Sequence, residues 1–280
     1  MGDLVSNVQV GCQGWNYKDW IAKPGEGGAL YPQGTRPAEM LELYARFFRT
    51  VEVDSTFYGV PAASTIENWL RRTPPEFTFS LKLPQEITHT HALRRESFAL
   101  LEEFCERARL FSKRLIAILI QLPPQFDATP ENARALQEFL PRLPSELRFS
   151  IEFRNPEWMQ DDVLDLLDQY GVSLALVEGI WLERAKLWRA AERMKTDFAC
   201  VRFMGARDLT RFDVVQRAQD ENLNSWREVI KRLAARMSNV HVCFSNYYEG
   251  HAPASANKLM RLLGQKTIEA KEVEKQPSLF

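Results

Sequence analysis

Short apolar runs alternate with longer amphipathic stretches along the chain. The runs that predict strands are residues 8–13 (VQVGCQ), 50–55 (TVEVDS), 77–83 (FTFSLKL), 115–122 (LIAILIQL), 148–153 (RFSIEF), 172–177 (VSLALV), 198–203 (FACVRF) and 240–246 (VHVCFSN). Between them, apolar positions recur at spacings of three and four, the helical period. Met40, Tyr44, Phe47 and Phe48 share one face of 36–48, and Phe98, Leu101, Phe104, Cys105 and Ala108 share one of 98–111. Further helices are predicted over 156–171, 220–237 and 255–264, with a weaker one over 181–194.

Repeated strand–helix alternation predicts a parallel sheet with right-handed crossovers. Eight repeats in about 260 residues predict an α/β fold of the (β/α)8 TIM-barrel type, as a single domain over 1–264. The doubly wound open sheet is the rival, but no GxGxxG follows the first run; GCQGW is not that fingerprint. Residues 265–280, charged and thinly apolar, are expected to form a flexible tail.

Composition narrows the class. At 45% hydrophobic, the 280 residues suffice for a large core, and a net charge of −1 argues against wholesale coating of nucleic acid or a polybasic membrane patch. Four cysteines without paired or CxxC spacing read as reduced thiols, hence a cytoplasmic setting. The first residues lack a signal-peptide pattern, and no apolar run approaches membrane-spanning length.

Parity then sorts the polar residues. Barrel strands alternate side chains between lumen and helix layer. One parity of each run yields Gln9 and Gln13, Glu52 and Asp54, Ser80 and Lys82, Gln121, then Ser150, Glu152 and Arg154, then Arg202 and Asn246. Most fall at the C-terminal end of their run, where barrel enzymes carry their sites. His241 is expected on the helix-facing side or at the strand start, in a structural role. Glu52, Asp54 and Glu152 set three acids against three bases, Lys82, Arg154 and Arg202. That is either a self-neutralising plug or a functional pocket; six charges at one mouth favour the pocket, because buried charge is costly unless paired or used. Trp15, Tyr58, His89 and Trp158 lie in the segments after the runs, as candidates to stack or bind a planar ligand.

The motifs GCQGWNYKDW, TVEVDSTFYGVP, FTFSLKLPQEITH, LIQLPPQF, IEFRNPEW and NYYEGHAPASANKL occur in that order. Together they resemble the YecE-like family, a bacterial domain of unknown function. The resemblance runs from about residue 8 to 264. It implies a TIM-barrel-like fold with its polar motifs at one mouth, and no established reaction. Met204, Ser245 and Glu178 depart from the family pattern of His, Asn and Asp.

Three chemistries stay open for such a mouth. The favoured one is an enzyme of general acid–base type, a hydrolase or lyase. In it Lys82, Arg154 and Arg202 clamp a phosphate-bearing substrate beside Glu52, Asp54 and Glu152. The second is a non-catalytic module that binds a nucleotide or nucleic acid. The third is a carbohydrate-active enzyme using paired carboxylates. A divalent metal, Mg²⁺ or Mn²⁺, on the three acids is a further option, although histidine is scarce. Last, QPSLF (276–280) fits the short pattern by which bacterial proteins dock on the DNA polymerase sliding clamp, with Gln276, Leu279 and Phe280 as anchors.

Overall fold

The computed structural model describes residues 5–23 and 30–268. Its strands are β1 (Val8–Gln13), β2 (Thr50–Val53), β3 (Thr78–Lys82), β4 (Leu115–Gln121), β5 (Phe149–Glu152), β6 (Ser173–Leu174), β7 (Leu176–Gly179), β8 (Phe198–Gly205) and β9 (Asn239–Phe244). All pair in parallel, in the order β6-β5-β4-β3-β2-β1-β9-β8-β7. β6 and β7 are two halves of one run, separated by Ala175. The first half pairs with β5 and the second with β8. That run joins the two ends of the sheet into a ring, and the expected eight-stranded barrel of the TIM type is what the chain forms.

The helices are α1 (Met40–Phe47), α2 (Ala63–Arg71), α3 (Phe98–Arg109), α4 (Pro130–Phe139), α5 (Asp161–Gln169), α6 (Arg184–Arg193), α7 (Asp220–Ala234), α8 (Asn246–Glu249) and α9 (Ala252–Leu262). α1 buries the face its spacing predicts, Met40, Tyr44 and Phe47. Its Tyr44 hydroxyl accepts from the Cys12 amide at 2.7 Å and donates to the Thr50 carbonyl at 2.9 Å, tying the helix to two strands at once. α2 and α4 go beyond the predicted elements. Both are short, and the burial of Ile66 and of Ala135, Leu136 and Phe139 holds them. Among the described residues no helix is long and apolar enough to cross a membrane.

The outward face of the strands and the inward face of the helices make the main core. Val51, Val53, Phe79, Leu81, Ile118, Ile120, Ile151, Val201, Phe203, Val240 and Val242 belong to it. The lumen is different. One wall is apolar, with Leu119, Ala175, Val177 and Met204 packed together across it. Ile116, Ala117, Phe198 and Cys200 form a second apolar patch, and the charges lie between the two.

Candidate functional site

Strand register brings the inward residues together. Glu52 stands opposite Ser80, Gln121 opposite Glu152, and Lys82 opposite Leu119, on neighbouring parallel strands. Arg202 of β8 reaches across the lumen to both glutamates. Its Nε donates to Glu52 Oε2 at 2.8 Å and its Nη2 to Glu52 Oε1 at 2.6 Å. Its Nη1 donates to Glu152 Oε2 and, at 3.5 Å, to Gln121 Oε1. Glu152 Oε1 accepts from Arg154 Nε at 2.7 Å. One guanidinium therefore joins β2, β5 and β8, and the residues it joins are 150 and 50 positions away in sequence.

This network forms a sealed lower tier. The side chains of Arg202, Glu52 and Glu152 are 1%, 2% and 0% exposed. Burial by itself would raise the pKa of Glu52, but the charges of Arg202 and then Lys82 outweigh it and hold Glu52 at about 2. Glu152 is likewise held low, with burial opposed by Arg202 and Arg154. Arg202 is held above its ordinary range, because the two carboxylates outweigh the cost of its burial.

Beneath lies His241, and here the parity expectation needs correction. His241 faces the lumen. One ring nitrogen shares hydrogen bonds with Ser80 Oγ and Cys243 Sγ, each at 2.9 Å, and the other lies 3.4 Å from Thr50 Oγ1. Burial, aided by the charge of Arg202, drops its pKa to about 4 and keeps it neutral. β9 ends at Phe244, and its lumen parity is that of His241 and Cys243. Asn246 sits beyond the strand, in the first turn of α8. Its Oδ1 accepts from Trp20 Nε1 at 3.1 Å and from the Ala252 amide at 3.0 Å, so it pins loops together and does not continue the inward row. Gly205 makes this junction close. It takes φ +67°, and a Cβ there would fall 2.1 Å from the Tyr247 carbonyl oxygen.

Above the sealed tier the groups are less tied. Lys82 and Arg154 each keep 6% of the side chain exposed. Lys82 Nζ lies 3.4 Å from Glu52 Oε1, an oxygen already held by Arg202. Burial lowers the pKa of Lys82, and nearby Arg202 lowers it further against the pull of Glu52. Asp54, half-buried just past β2, moves the other way: burial raises its pKa, and Glu52 adds to the rise while Lys82 offsets part of it. Gly14, at φ +71°, leaves room for Asp54; a Cβ would fall 3.3 Å from Asp54 Oδ2 and 3.2 Å from Tyr17 Cε2. Arg154 engages Glu152 through Nε and lies 5.6 Å from the Trp181 ring centroid. His89, half-buried, has its pKa lowered by burial and then by Arg154. Its Nδ1 lies 2.9 Å from Thr88 Oγ1, and its ring meets Phe57 edge-on at 5.0 Å.

The aromatic candidates divide. Tyr58 is 76% exposed and borders a groove with Gly59, Val60, Gln85 and Glu86. Trp15 is half-buried, edge-on to Trp69 at 5.7 Å. Trp158 turns away from solvent altogether. It is stacked between Phe126 and Phe153, and its Nε1 donates to the Phe126 carbonyl at 2.7 Å. It packs a loop onto the barrel and offers no free face to a ligand. Two residues outside the sequence candidates join the site: Tyr17 beside Asp54, and Trp181 under Arg154. Tyr17 was visible in an aromatic stretch after the first run, whereas nothing in the sequence ties Trp181 to Arg154. Glu178, at the top of β7, points outward to Arg184, Asn222 and Trp226. Among the described residues, no three of His, Cys, Asp and Glu are grouped to hold a metal ion. The tail positions Gln276, Leu279 and Phe280 lie outside the described residues.

A closed ring of parallel strands with a charged mouth at their C-terminal ends defines a TIM-barrel-like α/β protein. The chain belongs to the family described as "Protein of unknown function DUF72", which matches residues 9–278. It is similar to the UPF0759 protein YunF of Bacillus subtilis, 24% identical with 91% of this chain and 94% of that protein covered. It is also similar to the UPF0759 protein YecE of Escherichia coli K12, 26% identical with 79% and 82% covered. The resemblance read from the motifs is therefore correct. Among solved structures, a DUF72 family protein of Thermotoga maritima superposes with a TM-score of 0.74 at 25% identity, covering 92% of this chain and 99% of that one. One from Enterococcus faecalis gives 0.74 at 20% identity, covering 98% and 99%.

Proposed function

We propose that the mouth of the barrel is the active site of a general acid–base enzyme acting on a small anionic substrate. Arg154 anchors the anion, and Lys82 and Asp54 exchange the proton. The observation that carries this reading is a charge count. Arg202 and Arg154 between them neutralise Glu52 and Glu152 through direct hydrogen bonds. Lys82 and Asp54 are left over, coupled to each other, with one drawn down in pKa and the other up. Opposed shifts of this kind mark Lys82 and Asp54 as a candidate base and acid.

In this reading the Nη groups of Arg154, which its bond to Glu152 leaves free of that carboxylate, donate to a phosphate or carboxylate oxygen. His89 flanks that anion as a neutral ring. Neutral Lys82 removes a proton from the bound substrate, and protonated Asp54 returns one. Glu52, Glu152 and Arg202 act as positioning residues that fix Lys82 and Arg154. Glycoside hydrolysis is less well supported: Asp54 has the raised pKa of an acid catalyst, but the second carboxylates it would need, Glu52 and Glu152, are tied up by Arg202 and Arg154. The reading assigns every step to side chains and routes none through a metal. The buried thiols suit a reducing cytoplasm. The QPSLF segment serves as a recruiting element for a DNA sliding clamp; peptide 270–280 should bind a bacterial clamp, and Phe280→Ala should abolish binding.

The test is titration calorimetry with inorganic phosphate and a panel of small phosphorylated and carboxylated metabolites. Arg154→Gln should weaken binding by roughly 10- to 100-fold, the worth of charge-assisted hydrogen bonds. Equal affinity in wild type and variant would remove the anchor. Binding without turnover of any bound compound would turn the site into a non-catalytic anion receptor.

A further inference from the structure

We infer that Lys82 is a covalent nucleophile: its amine condenses with a substrate carbonyl to form an imine, so the substrate is an anionic aldehyde or ketone such as an oxo acid or an open-chain sugar phosphate. The inference rests on the anion-anchoring reading above and narrows it to a substrate class.

Geometry carries it. Lys82 is the last residue of β3, with 6% of its side chain exposed. The contact it makes, 3.4 Å to Glu52 Oε1, is too long for a good N–H···O bond. That oxygen is committed to Arg202 at 2.6 Å. Burial, with the neighbouring guanidinium, draws the amine towards the neutral form, which is the nucleophile, against the pull of Glu52, Asp54 and Glu152. Asp54 and Lys82 each feel the other's charge, and Asp54 borders the missing-Cβ position of Gly14 together with Tyr17. Arg154 lies just past β5, two strands away across β4. At roughly 5 Å per strand the separation is on the order of 10 Å. That is the spacing of the backbones; the two side chains converge on the Glu52–Arg202–Glu152 network, so a short substrate would meet Lys82 with its carbonyl and Arg154 with its anion.

The step balances. The Nζ lone pair attacks the carbonyl carbon and a C–N bond forms. The C=O π electrons move to oxygen, which takes the proton of Asp54. The ionised Asp54 then removes a proton from nitrogen, giving a neutral carbinolamine. Asp54 returns that proton to the hydroxyl, the C–O bond breaks and water leaves. What remains is a protonated imine beside ionised Asp54. No oxidant or reductant is consumed, and the cationic imine draws electrons from a neighbouring C–H or C–C bond, which is lyase or isomerase chemistry.

The experiment uses the full chain at pH 7 with pyruvate, glyoxylate or glyceraldehyde 3-phosphate and sodium cyanoborohydride, read by intact mass and peptide mapping. The expected result is one reduced adduct on Lys82, formed at least 10-fold faster than on any other lysine and suppressed by inorganic phosphate. Lys82→Arg should lose it while keeping the wild-type circular dichroism spectrum. If that variant fails to fold, mapping of the wild-type protein still decides. Absence of a Lys82 adduct with all three compounds, or labelling spread evenly over the lysines, overturns the inference. Phosphate binding without an adduct sinks the imine and leaves the anion anchor standing. An adduct indifferent to phosphate and to Arg154→Gln sinks the anchor and leaves the nucleophile.

Discussion

Two tiers of the same lumen carry charge and treat it differently. In the lower one, Glu52, Glu152 and Arg202 are sealed from water and bonded to one another, and their pKa values move away from neutrality. In the upper one, Lys82 and Asp54 keep some exposure and loose partners, and their pKa values move towards it. The difference is a matter of bonds. A carboxylate that receives several donors is fixed as an anion; one that is merely buried becomes willing to hold a proton.

The comparison breaks most visibly at Arg202. Arg202→Met strands two buried carboxylates and should cost about 3–5 kcal/mol, read as the shift in urea unfolding. A loss below about 1 kcal/mol would mean that the lower tier is not what holds the lumen together.

Acid probes the same tier in stages. His241 and, outside that tier, His251, which lies just before α9 and edge-on to Trp20, have folded pKa values of about 4, chiefly from burial, below their unfolded 6.5. Between these values the unfolded chain binds more protons, so stability falls as pH drops from 6.5 to 4, by about 3 kcal/mol for each histidine. Glu52 continues the loss from about 4.5 down to about 2, where its folded form finally protonates. His241→Gln should flatten the first part of that limb in unfolding curves collected at stepped pH. An unchanged limb would relocate its origin.

The upper tier should respond in the opposite sense. Lys82→Met should change stability by less than about 1 kcal/mol, since it removes a buried charge whose one close ion pair is long, yet it should abolish turnover. A large loss of stability would fold Lys82 into the structural tier. The smallest effect on stability belongs to Asp54→Asn, which should also abolish turnover. Asp54 raises the pKa of Lys82, so its removal should lower that pKa further and increase acylation of Lys82 by acetic anhydride at pH 7, a reaction that needs no proton from Asp54. A decrease would contradict the coupling.

Much of this was legible in the residues, for identifiable reasons. The strands announce themselves because a barrel buries both faces, leaving continuous apolar runs. Inward parity found Glu52, Lys82, Gln121, Glu152 and Arg202, because a polar side chain inside such a run has few alternatives to the lumen. It slipped at β9, where the apolar run stops at Phe244 but the sequence gives no sign that the strand ends there. Asn246 was accordingly counted in the inward row, although it lies beyond the strand, and His241, expected to face the helices or start the strand, faces the lumen. α2 escaped because it buries Ile66 alone; α4 escaped although it buries three residues, one more than α5. Pairing was invisible throughout. Nothing local says that Arg202 will claim both glutamates, and that single fact assigns the roles of all the others. Trp158 shows the complementary limit, since an aromatic at a loop looks the same in sequence whether it greets a ligand or stacks between Phe126 and Phe153.

The divided run at Ala175 has a mechanical consequence. Each of the other strands is gripped along both edges, whereas β6 holds β5 alone and β7 holds β8 alone. The hoop is fastened by a lap joint. A small slide at that joint would change the bore without unzipping either ladder, and β7 carries Val177 of the apolar wall directly into it. If the channel above Arg202 ever widens to admit a guest, the give will come from this overlap, and amide exchange along 173–179 should outpace that of β2 and β3.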